Sequence, residues 1–298
     1  LTGADQTELY LSLLKDKKVA ITANQTSVIG NTHLVDSLKS AGINITKVFA
    51  LEHGFRGNIQ AGEHIKNGVD TKTGIPIVSL YGKSKQPSAD QLKNVDIIVF
   101  DLQDVGARFY TYISSLHYIM LSAAENNKTV IILDRPNPNG HYIAGPVLEK
   151  KQESFIGMHP VPIVHGMTIG EYAQMINGEG WLGENLKCDL KVITCKDYSH
   201  SDFYEVKIKA DGNAGKVYNM GMPINSSYDD FGLTYGDDGG MRTGFLCSNR
   251  KRGGLDDDIY SFMVLREVKR GKDVKIKTMH KDSATVPISV KTIFLSPR

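Results

Sequence analysis

The stretch Val95-Asp96-Ile97-Ile98-Val99-Phe100-Asp101 decides the fold class of this chain. It is a short, almost unbroken apolar run that ends in a carboxylate, and a second run, Thr129–Leu133, ends in the same way at Asp134. Continuous apolar strands are buried on both faces, which is typical of a parallel sheet covered by helices. The two runs therefore predict an α/β fold, a parallel sheet with helices on both faces.

Shorter apolar runs alternate with helical patterns over the first two hundred residues. The predicted strands are Lys18–Thr22, Ile45–Ala50 and Ile75–Leu80, and the predicted helices are His33–Ala41, Arg108–Asn126 and a segment that begins after Thr168. Strands that alternate with helices are the pattern of a parallel sheet with helical crossovers.

The character of the chain changes near residue 205. Gly, Asp, Asn and Ser become dense from Asp211 to Asp258, helical periodicity disappears, and the tail from Asp273 alternates like antiparallel strands. A length of 298 residues also favours two domains. We predict an α/β domain over residues 1–205 and a smaller β-rich region over residues 206–298.

Composition argues against several classes of function. A net charge of +2 gives no electrostatic reason to expect nucleic acid or an acidic membrane as partner. The sequence contains no run of about 18 apolar residues that could span a bilayer.

Cys188, Cys195 and Cys247 lack the spacing of a zinc site, and a Cys188–Cys195 disulfide or two half-buried thiols are equally compatible with the sequence. Because phosphate-binding glycine motifs are also missing, we expect no nucleotide, metal or other cofactor.

Polar side chains follow four of the predicted strands at the point where each strand ends. These side chains are Asn24, Glu52, Asp101 and Asp134. In open parallel sheets, ligands bind outside the carboxyl ends of the strands. We therefore expect the four side chains to converge on one rim of the sheet.

Glu52 opens a glycine-rich loop, Glu52-His53-Gly54-Phe55-Arg56-Gly57, that is followed by Glu63. Carboxylates, an imidazole and a guanidinium in one such loop are typical of an acid/base site, since sites concentrate in loops at strand ends. A structural Glu–Arg pair that braces the loop is equally compatible with this spacing.

The run after Asp101 carries a second group of candidates. They are Gln103, Asp104, Arg108, Tyr110 and Tyr112. We expect Arg108 to pair with one of the acids and the tyrosines to stack on a sugar ring. The alternative for Asp104 is that it caps the following helix.

A stiff loop, Asp134-Arg135-Pro136-Asn137-Pro138, follows the last of these strands. Its prolines exclude a helix, and Asp134 with Arg135 is either part of the site or an architectural salt bridge. Further on, Thr168 and Glu171 form the pattern of a capping box. His165 precedes this cap as a further binding candidate, with a structural histidine as the alternative.

Seven motifs over residues 4–204 together resemble the exo-β-N-acetylmuramidase (NamZ-type) family. They are Asn24-Gln25-Thr26, Glu52-His53-Gly54-Phe55-Arg56-Gly57, Ala61-Gly62-Glu63, Ser79-Leu80-Tyr81-Gly82, the run Asp101–Tyr112, Asp134–Gly140 and His165–Glu171. The resemblance implies a Rossmann-like N-terminal domain whose cleft a C-terminal domain completes. It also implies a periplasmic or secreted bacterial enzyme that releases N-acetylmuramic acid from the non-reducing ends of peptidoglycan fragments.

The C-terminal region departs from this family. Residues from about 215 to 263 resemble a single WD40-like (PD40) propeller repeat of the kind that occurs in OmpA-like, peptidoglycan-associated proteins. This resemblance implies an association with the cell envelope. One blade cannot bury both of its faces alone, because propellers need several blades.

We expect a glycoside hydrolase with Glu52 as general acid/base, and with Asp101 or Asp104 stabilising the oxocarbenium-like state or orienting a water. The acetamido group of the sugar is a further candidate nucleophile, so retention and inversion both stay open. The expected substrate-binding residues are Asn24, His53, Arg56, Glu63, Gln103, Arg108, Tyr110, Tyr112, Asp134, Arg135, Asn137 and His165. The alternatives are a non-catalytic peptidoglycan-binding protein and a Rossmann-type transferase or esterase. The missing Gly-x-Ser-x-Gly motif counts against the last of these.

Overall fold

The structure is a computed structural model that describes residues 1–52, 54–56, 67–82, 84–202 and 204, together with the backbone of five strands between residues 230 and 286. The chain divides into two compact units, Leu1–Val217 and Tyr218–Arg298. The boundary that the sequence predicts, between residues 205 and 206, lies outside the described residues.

The first unit contains nine described strands and five described α-helices. The strands are β1 (Val19–Ala23), β2 (Val28–Ile29), β3 (Thr32–His33), β4 (Ile45–Ala50), β5 (Gly68–Val69), β6 (Pro76–Ser79), β7 (Ile97–Asp101), β8 (Thr129–Leu133) and β9 (Asp189–Ile193). The helices are α1 (Thr7–Leu14), α2 (Leu34–Ser40), α3 (Ala89–Leu92), α4 (Tyr112–Glu125) and α5 (Ile169–Gly178), and a 3₁₀-helix spans Lys150–Gln152.

Seven of these strands form one sheet in the order β5-β6-β4-β1-β7-β8-β9. All neighbouring pairs are parallel except β5 with β6. From β1 the chain proceeds through β4 to β6 on one side, and then through β7 and β8 to β9 on the other. This is the order of the doubly wound Rossmann-like sheet, with its topological switch point between β1 and β7. The predicted fold class is confirmed.

Helices cover both faces of the sheet. Ile98 and Phe100 belong to the apolar core that includes residues of α4 and α5. Ile97 and Val99, the alternate residues of the same strand, belong to the core formed with α1 and α2. Because successive side chains of a strand point to opposite faces, both faces are buried, which explains the unbroken apolar run.

Helix α4 begins later than the predicted position Arg108. The backbone N–H of Arg108 donates to the carbonyl of Ile163, and Ala107 forms a β-bridge with Val164. These pairings tie residues 107 and 108 to the segment before α5, the chain then turns through residues 108–111, and the helix starts only at Tyr112. The capping box predicted for Thr168 and Glu171 is present at the start of α5, with both of its hydrogen bonds formed.

The second unit contains a five-stranded antiparallel sheet. Its strands follow each other in sequence order: β10 (Asp230–Tyr235), β11 (Thr243–Ser248), β12 (Asp258–Met263), β13 (Lys275–Met279) and β14 (Thr285–Val286). The C-terminal part is therefore β-rich, as the sequence predicts.

Cys188 and Cys195 are free thiols, and burial raises the pKa of each to about 12. Cys247 lies in a strand whose side chains are not described. Among the described residues, no helix is both long enough and apolar enough to cross a membrane.

Candidate functional site

Four strands of the parallel sheet end at one rim, and the predicted polar residues follow them there. Asn24 follows β1, Glu52 lies two residues beyond β4, Asp101 ends β7 and Asp134 follows β8. The structure thus places all four at the carboxyl edge. They differ in exposure, because Glu52 is half-buried whereas the other three are buried.

Glu52 is the accessible carboxylate of this rim. The hydroxyl of Tyr81 donates to its Oε1 atom over 3.2 Å. The charge of Glu52 is the largest cause of a raised pKa at Tyr81, and it contributes after burial to the raised pKa values of Tyr110 and Tyr112. Glu52 therefore lies among tyrosines and accepts a hydrogen bond from one of them.

Tyr110 and Tyr112 form an edge-to-face aromatic pair near Glu52. Their rings meet edge to face, with centroids 4.8 Å apart. Asn24 donates from Nδ2 to the Tyr112 hydroxyl over 2.8 Å, and its Oδ1 accepts from the Thr26 backbone and hydroxyl. Asn24 is fully buried, and its amide orients the Tyr112 hydroxyl.

Asp101 forms a buried ion pair with Arg135. Its Oδ1 accepts from Nε of Arg135 over 2.6 Å and its Oδ2 from Nη2 over 3.0 Å. Asp101 has 0% of its surface exposed and Arg135 has 5%. This geometry corrects two expectations. Asp101 is not an accessible second carboxylate, and its cationic partner is Arg135 rather than Arg108.

Asp104 and His165 lie side by side in the protein interior, with His165 Nε2 3.8 Å from Asp104 Oδ2. Asp104 Oδ2 accepts the backbone N–H of Gly106 over 2.7 Å. Burial raises the pKa of Asp104 to about 7 and lowers that of His165 to about 4. The helix-cap alternative for Asp104 is wrong, because the N-cap of α4 is Thr111.

Asp134 anchors the start of α5. Its Oδ1 accepts the backbone N–H of Gly170 over 2.8 Å, and its Oδ2 accepts the hydroxyl of Thr168 over 2.9 Å. Burial raises its pKa to about 6. The alternative of an architectural salt bridge with Arg135 is wrong, because that guanidinium contacts Asp101 and the Arg135 backbone N–H is the group that donates to Asp134. The fold therefore uses Asp134 as a brace.

Gln103 and Asn137 tie the rim loops together. Gln103 donates from Nε2 to the carbonyls of Asp104 and Pro136, each over 2.8 Å. Asn137 donates to the carbonyl of Met167 over 2.8 Å. Both side chains are buried, and their amide groups are used in holding the backbone.

Arg56 braces the loop after β4 through two carboxylates that the sequence did not identify. Its guanidinium contacts Asp70 over 2.7 and 2.8 Å and Asp36 over 2.8 and 3.3 Å, and it lies 4.7 Å from the centroid of the Phe55 ring. The bracing alternative thus holds for Arg56, although its partners are aspartates and not Glu52. The predicted His53 and Glu63 lie outside the described residues.

Arg108 reaches away from β7 toward the loops before α5. Its Nη1 donates to the carbonyl of Pro146 over 2.8 Å and to that of Val161 over 2.6 Å. Arg108 thus joins three segments of the rim.

Tyr81 is the functional candidate that sequence reasoning missed. It follows β6, the next strand beyond β4, and so obeys the same strand-end rule that selected Asn24 and Glu52. Applied to every predicted strand, that rule identifies Tyr81. Asp36 and Asp70 carry no comparable signal, because their pairing with Arg56 depends on tertiary structure.

A cavity of about 400 Å³ opens elsewhere on the same rim. Its lining includes Thr26, Gln103 and Arg135 together with Tyr198 and Tyr204, but Glu52 is not among the described lining residues. The cavity and the accessible carboxylate therefore occupy different parts of the edge. Within the described ranges, no three His, Cys, Asp or Glu side chains are grouped as metal ligands.

Comparison with known proteins identifies the family of this chain. Residues 19–210 match the family described as the N-terminal part of the exo-β-N-acetylmuramidase NamZ. The peptidoglycan β-N-acetylmuramidase NamZ of Bacillus subtilis (strain 168) is 43% identical over 205 residues, which is 67% of this chain and 48% of that protein.

Two solved structures are also similar, both DUF1343 family proteins of Bacteroides fragilis. One is 47% identical with a TM-score of 0.63 and covers 70% of this chain and 55% of its own. The other is 36% identical with a TM-score of 0.60 and covers 70% and 51%. The chain therefore spans about half the length of the relatives that it matches.

Proposed function

Because this chain belongs to the family of the NamZ N-terminal domain, we propose that it is a glycoside hydrolase that acts on peptidoglycan. The proposed reaction is release of N-acetylmuramic acid from the non-reducing ends of peptidoglycan fragments. The B. subtilis relative is named as a peptidoglycan β-N-acetylmuramidase, which supports this substrate class.

The observation that carries the proposal is the position of Glu52. It is a half-buried carboxylate at the rim of the sheet that accepts a hydrogen bond from Tyr81. A glycosidase needs a carboxylic acid that can reach the leaving oxygen. Asp101, Asp104 and Asp134 are each at most 5% exposed, so Glu52 is the described rim carboxylate best placed as general acid/base.

The second group of the reaction is proposed to come from the substrate. Most glycosidases place a second carboxyl group about 5–9.5 Å from the first. Asp101 is enclosed with Arg135, and Asp104 is enclosed beside His165. This burial favours the acetamido group of N-acetylmuramic acid as internal nucleophile. Glu63, which lies outside the described residues, is the remaining carboxylate of the loop.

Substrate binding is proposed to rest on the tyrosines around Glu52 and on the loop that carries His53 and Glu63. Tyr110 presents an aromatic ring next to the acid/base carboxylate, and aromatic faces pack against the apolar C–H face of sugar rings. Arg56, which lies in the described part of this loop, is anchored by Asp36 and Asp70.

Replacement of the proposed acid/base residue tests this function. Glu52→Gln keeps the shape of the side chain and removes its proton-donating carboxyl. We expect turnover of a chromogenic N-acetylmuramide to fall by at least about 10²-fold, the usual weight of general acid/base catalysis, with an unchanged melting temperature. Glu149→Gln, at an exposed site next to Lys151, is the matched control. Wild-type turnover in the Glu52 variant would refute the assignment.

A second candidate function follows from the length comparison. The match covers 48% of the B. subtilis relative, and we propose as the second candidate that this rim binds muropeptides and leaves them intact. Calorimetry with a muramic-acid disaccharide, run beside a product assay, separates the two functions. Heat of binding without released sugar supports the binding protein, and product formation supports the hydrolase.

We further propose that residues of about 215 to 263 form a PD40-like repeat that associates the chain with the cell envelope, and that the protein is periplasmic or secreted. Strands β10, β11 and β12 are antiparallel and fall within this range, which supports a blade-like segment. Co-sedimentation of the inactive Glu52→Gln chain with insoluble peptidoglycan tests the association. Fractionation of the source bacterium with a specific antibody tests the location.

A further inference from the structure

Two buried side chains next to the site each have an atom without a hydrogen-bond partner. Asp104 is 5% exposed and His165 is 3% exposed. Within the described part of the chain, no hydrogen-bond partner faces Asp104 Oδ1 or His165 Nε2. Buried polar atoms are nearly always paired in folded proteins, so these two require an explanation.

The hydrogen bond at the other ring nitrogen determines the protonation of His165. The backbone N–H of Met167 donates to Nδ1 over 3.2 Å, so Nδ1 carries no proton. The neutral imidazole therefore has its proton on Nε2, the nitrogen that faces Asp104. A second proton would have to go on Nδ1 and break the Met167 bond. His165 is thus held as a neutral donor and supplies no positive charge to Asp104.

The other described groups around Asp104 supply no countercharge to its Oδ1 atom either. Tyr110 and Tyr172 both lie close enough for the Asp104 charge to raise their pKa values. Arg108 lies near Tyr172, whose pKa it lowers, and hydrogen-bonds to the carbonyls of Pro146 and Val161. Burial outweighs the lowering of the Asp104 pKa by the nearby backbone N–H groups of Gly106 and Val105, of which that of Gly106 donates to Oδ2. A buried carboxylate without a cation is costly.

Asp104 is also connected to the two tyrosines through the backbone. It opens the turn that leads to Tyr110 and then to Tyr112 at the start of α4. Its Oδ2 holds the N–H of Gly106, which has a positive φ of 73°. A shift of this carboxyl group therefore moves the backbone that carries the aromatic pair beside Glu52.

We propose that Asp104 is a positioning residue that works as a neutral carboxylic acid, and that its ionisation displaces the turn carrying Tyr110 and Tyr112. The proposal rests on the proposed role of Glu52 at the same rim. It replaces the expectation that Asp104 acts as a carboxylate in the chemistry.

Ionisation of Asp104 is expected to make folding stability and activity depend on pH. Because the pKa of Asp104 is raised in the folded protein to about 7, its contribution favours folding at low pH and is lost as pH rises from about 4 to about 7. The site is therefore expected to be well ordered below neutral pH and to lose activity above it.

Asp104→Asn is the decisive variant, since its amide keeps the acceptor for Gly106 and places a neutral NH₂ group where the acid has its hydroxyl. We expect kcat/KM at pH 6 to fall by far less than the ~10²-fold typical of an acid/base group. We also expect the decline of kcat/KM above pH 7 in the wild type to disappear. Asp90→Asn, at an exposed site, should leave the profile unchanged. A folded Asp104→Asn protein that loses about 10²-fold at every pH, or that keeps the alkaline decline, overturns the proposal.

A direct titration keeps this test independent of the muramidase activity. The carboxyl carbon of Asp104, assigned by comparison with Asp104→Asn in ¹³C-aspartate-labelled protein, is expected to titrate near neutral pH. Titration at the ordinary value for aspartate overturns the proposal even if Glu52 proves to be the acid/base residue. Titration near neutral pH in a chain without turnover supports the neutral acid and refutes only the proposed enzyme function.

Discussion

The guanidinium of Arg135 lies in contact with both carboxylate oxygens of Asp101, at 2.6 and 3.0 Å. The pair connects the ends of β7 and β8 at the rim, and Arg135 also donates to the carbonyl of Val28 over 3.1 Å. The second carboxylate expected for catalysis is therefore a structural element of the parallel sheet. This leaves Glu52 as the accessible carboxylate among the four strand-end residues.

Removal of one partner of this pair is expected to destabilise the fold strongly. Asp101→Asn or Arg135→Met leaves a buried charge uncompensated, which typically costs about 3–5 kcal/mol. Urea denaturation of both variants and of the double variant gives the coupling energy. The double variant should lose less free energy of unfolding than the two single variants lose together. Lys93→Met at the exposed pair with Asp90 should change the free energy of unfolding far less, and equal losses at both pairs would contradict the structural role.

Gly106 is expected to be intolerant of a methyl group. Its φ is 73°, and a Cβ atom there would lie 2.3 Å from Oδ1 of Asn137. Gly106→Ala should therefore combine left-handed backbone strain of about 1–2 kcal/mol with displacement of the Asn137 amide. Gly74→Ala is the matched control, because Gly74 has a φ of 72° with open space around its Cβ position. Thermal unfolding of the two variants isolates the clash, and equal melting temperatures would contradict it.

A buried histidine pair is expected to make the protein acid-sensitive. His117 Nδ1 lies 3.0 Å from His159 Nε2, and His159 Nδ1 lies 3.1 Å from the Tyr172 hydroxyl. Burial lowers the pKa of both histidines from the ordinary 6.5. Their contribution to stability is therefore present above pH 6.5 and lost as pH falls below it.

Stability measured at several pH values checks this expectation. Lowering the pH from 7 to 5 should destabilise the wild type relative to His159→Gln, because the variant lacks one of the two histidines with a lowered pKa. The exposed His141, replaced in the same way, should leave the slope unchanged. Identical slopes in all three proteins would show that the pair does not titrate with folding.

The stability that the ion pairs around Arg56 contribute is expected to be lost at a lower pH than that of the histidine pair. Arg56 holds the pKa of Asp70 well below its usual value of 3.8. A depressed carboxyl pKa stabilises the fold above pH 3.8, and this contribution is lost as pH falls further. Arg56→Gln should therefore flatten the loss of stability below pH 4. Lys72→Gln, which removes an exposed partner of Asp36, should flatten it less, and the reverse order would contradict the assigned brace.

Local patterns in the sequence account for much of the fold. The apolar runs that became β1, β4, β6, β7 and β8 and the capping box of α5 were all predicted, because burial on two faces and helix capping leave signals within a few residues. The same reasoning placed Asn24, Glu52, Asp101 and Asp134 at one rim, since carboxyl ends of parallel strands share an edge.

The sequence by itself determined the class of sheet, the edge that carries the candidate residues and the loop that holds Glu52. Only the tertiary structure decided which carboxylates are accessible. Arg135, not Arg108, pairs with Asp101, and Arg56 pairs with Asp36 and Asp70. Ion-pair partners and burial depend on contacts between segments that are distant in the chain. Periodicity and spacing indicate the environment of a strand or helix, but they do not show which distant residues come into contact.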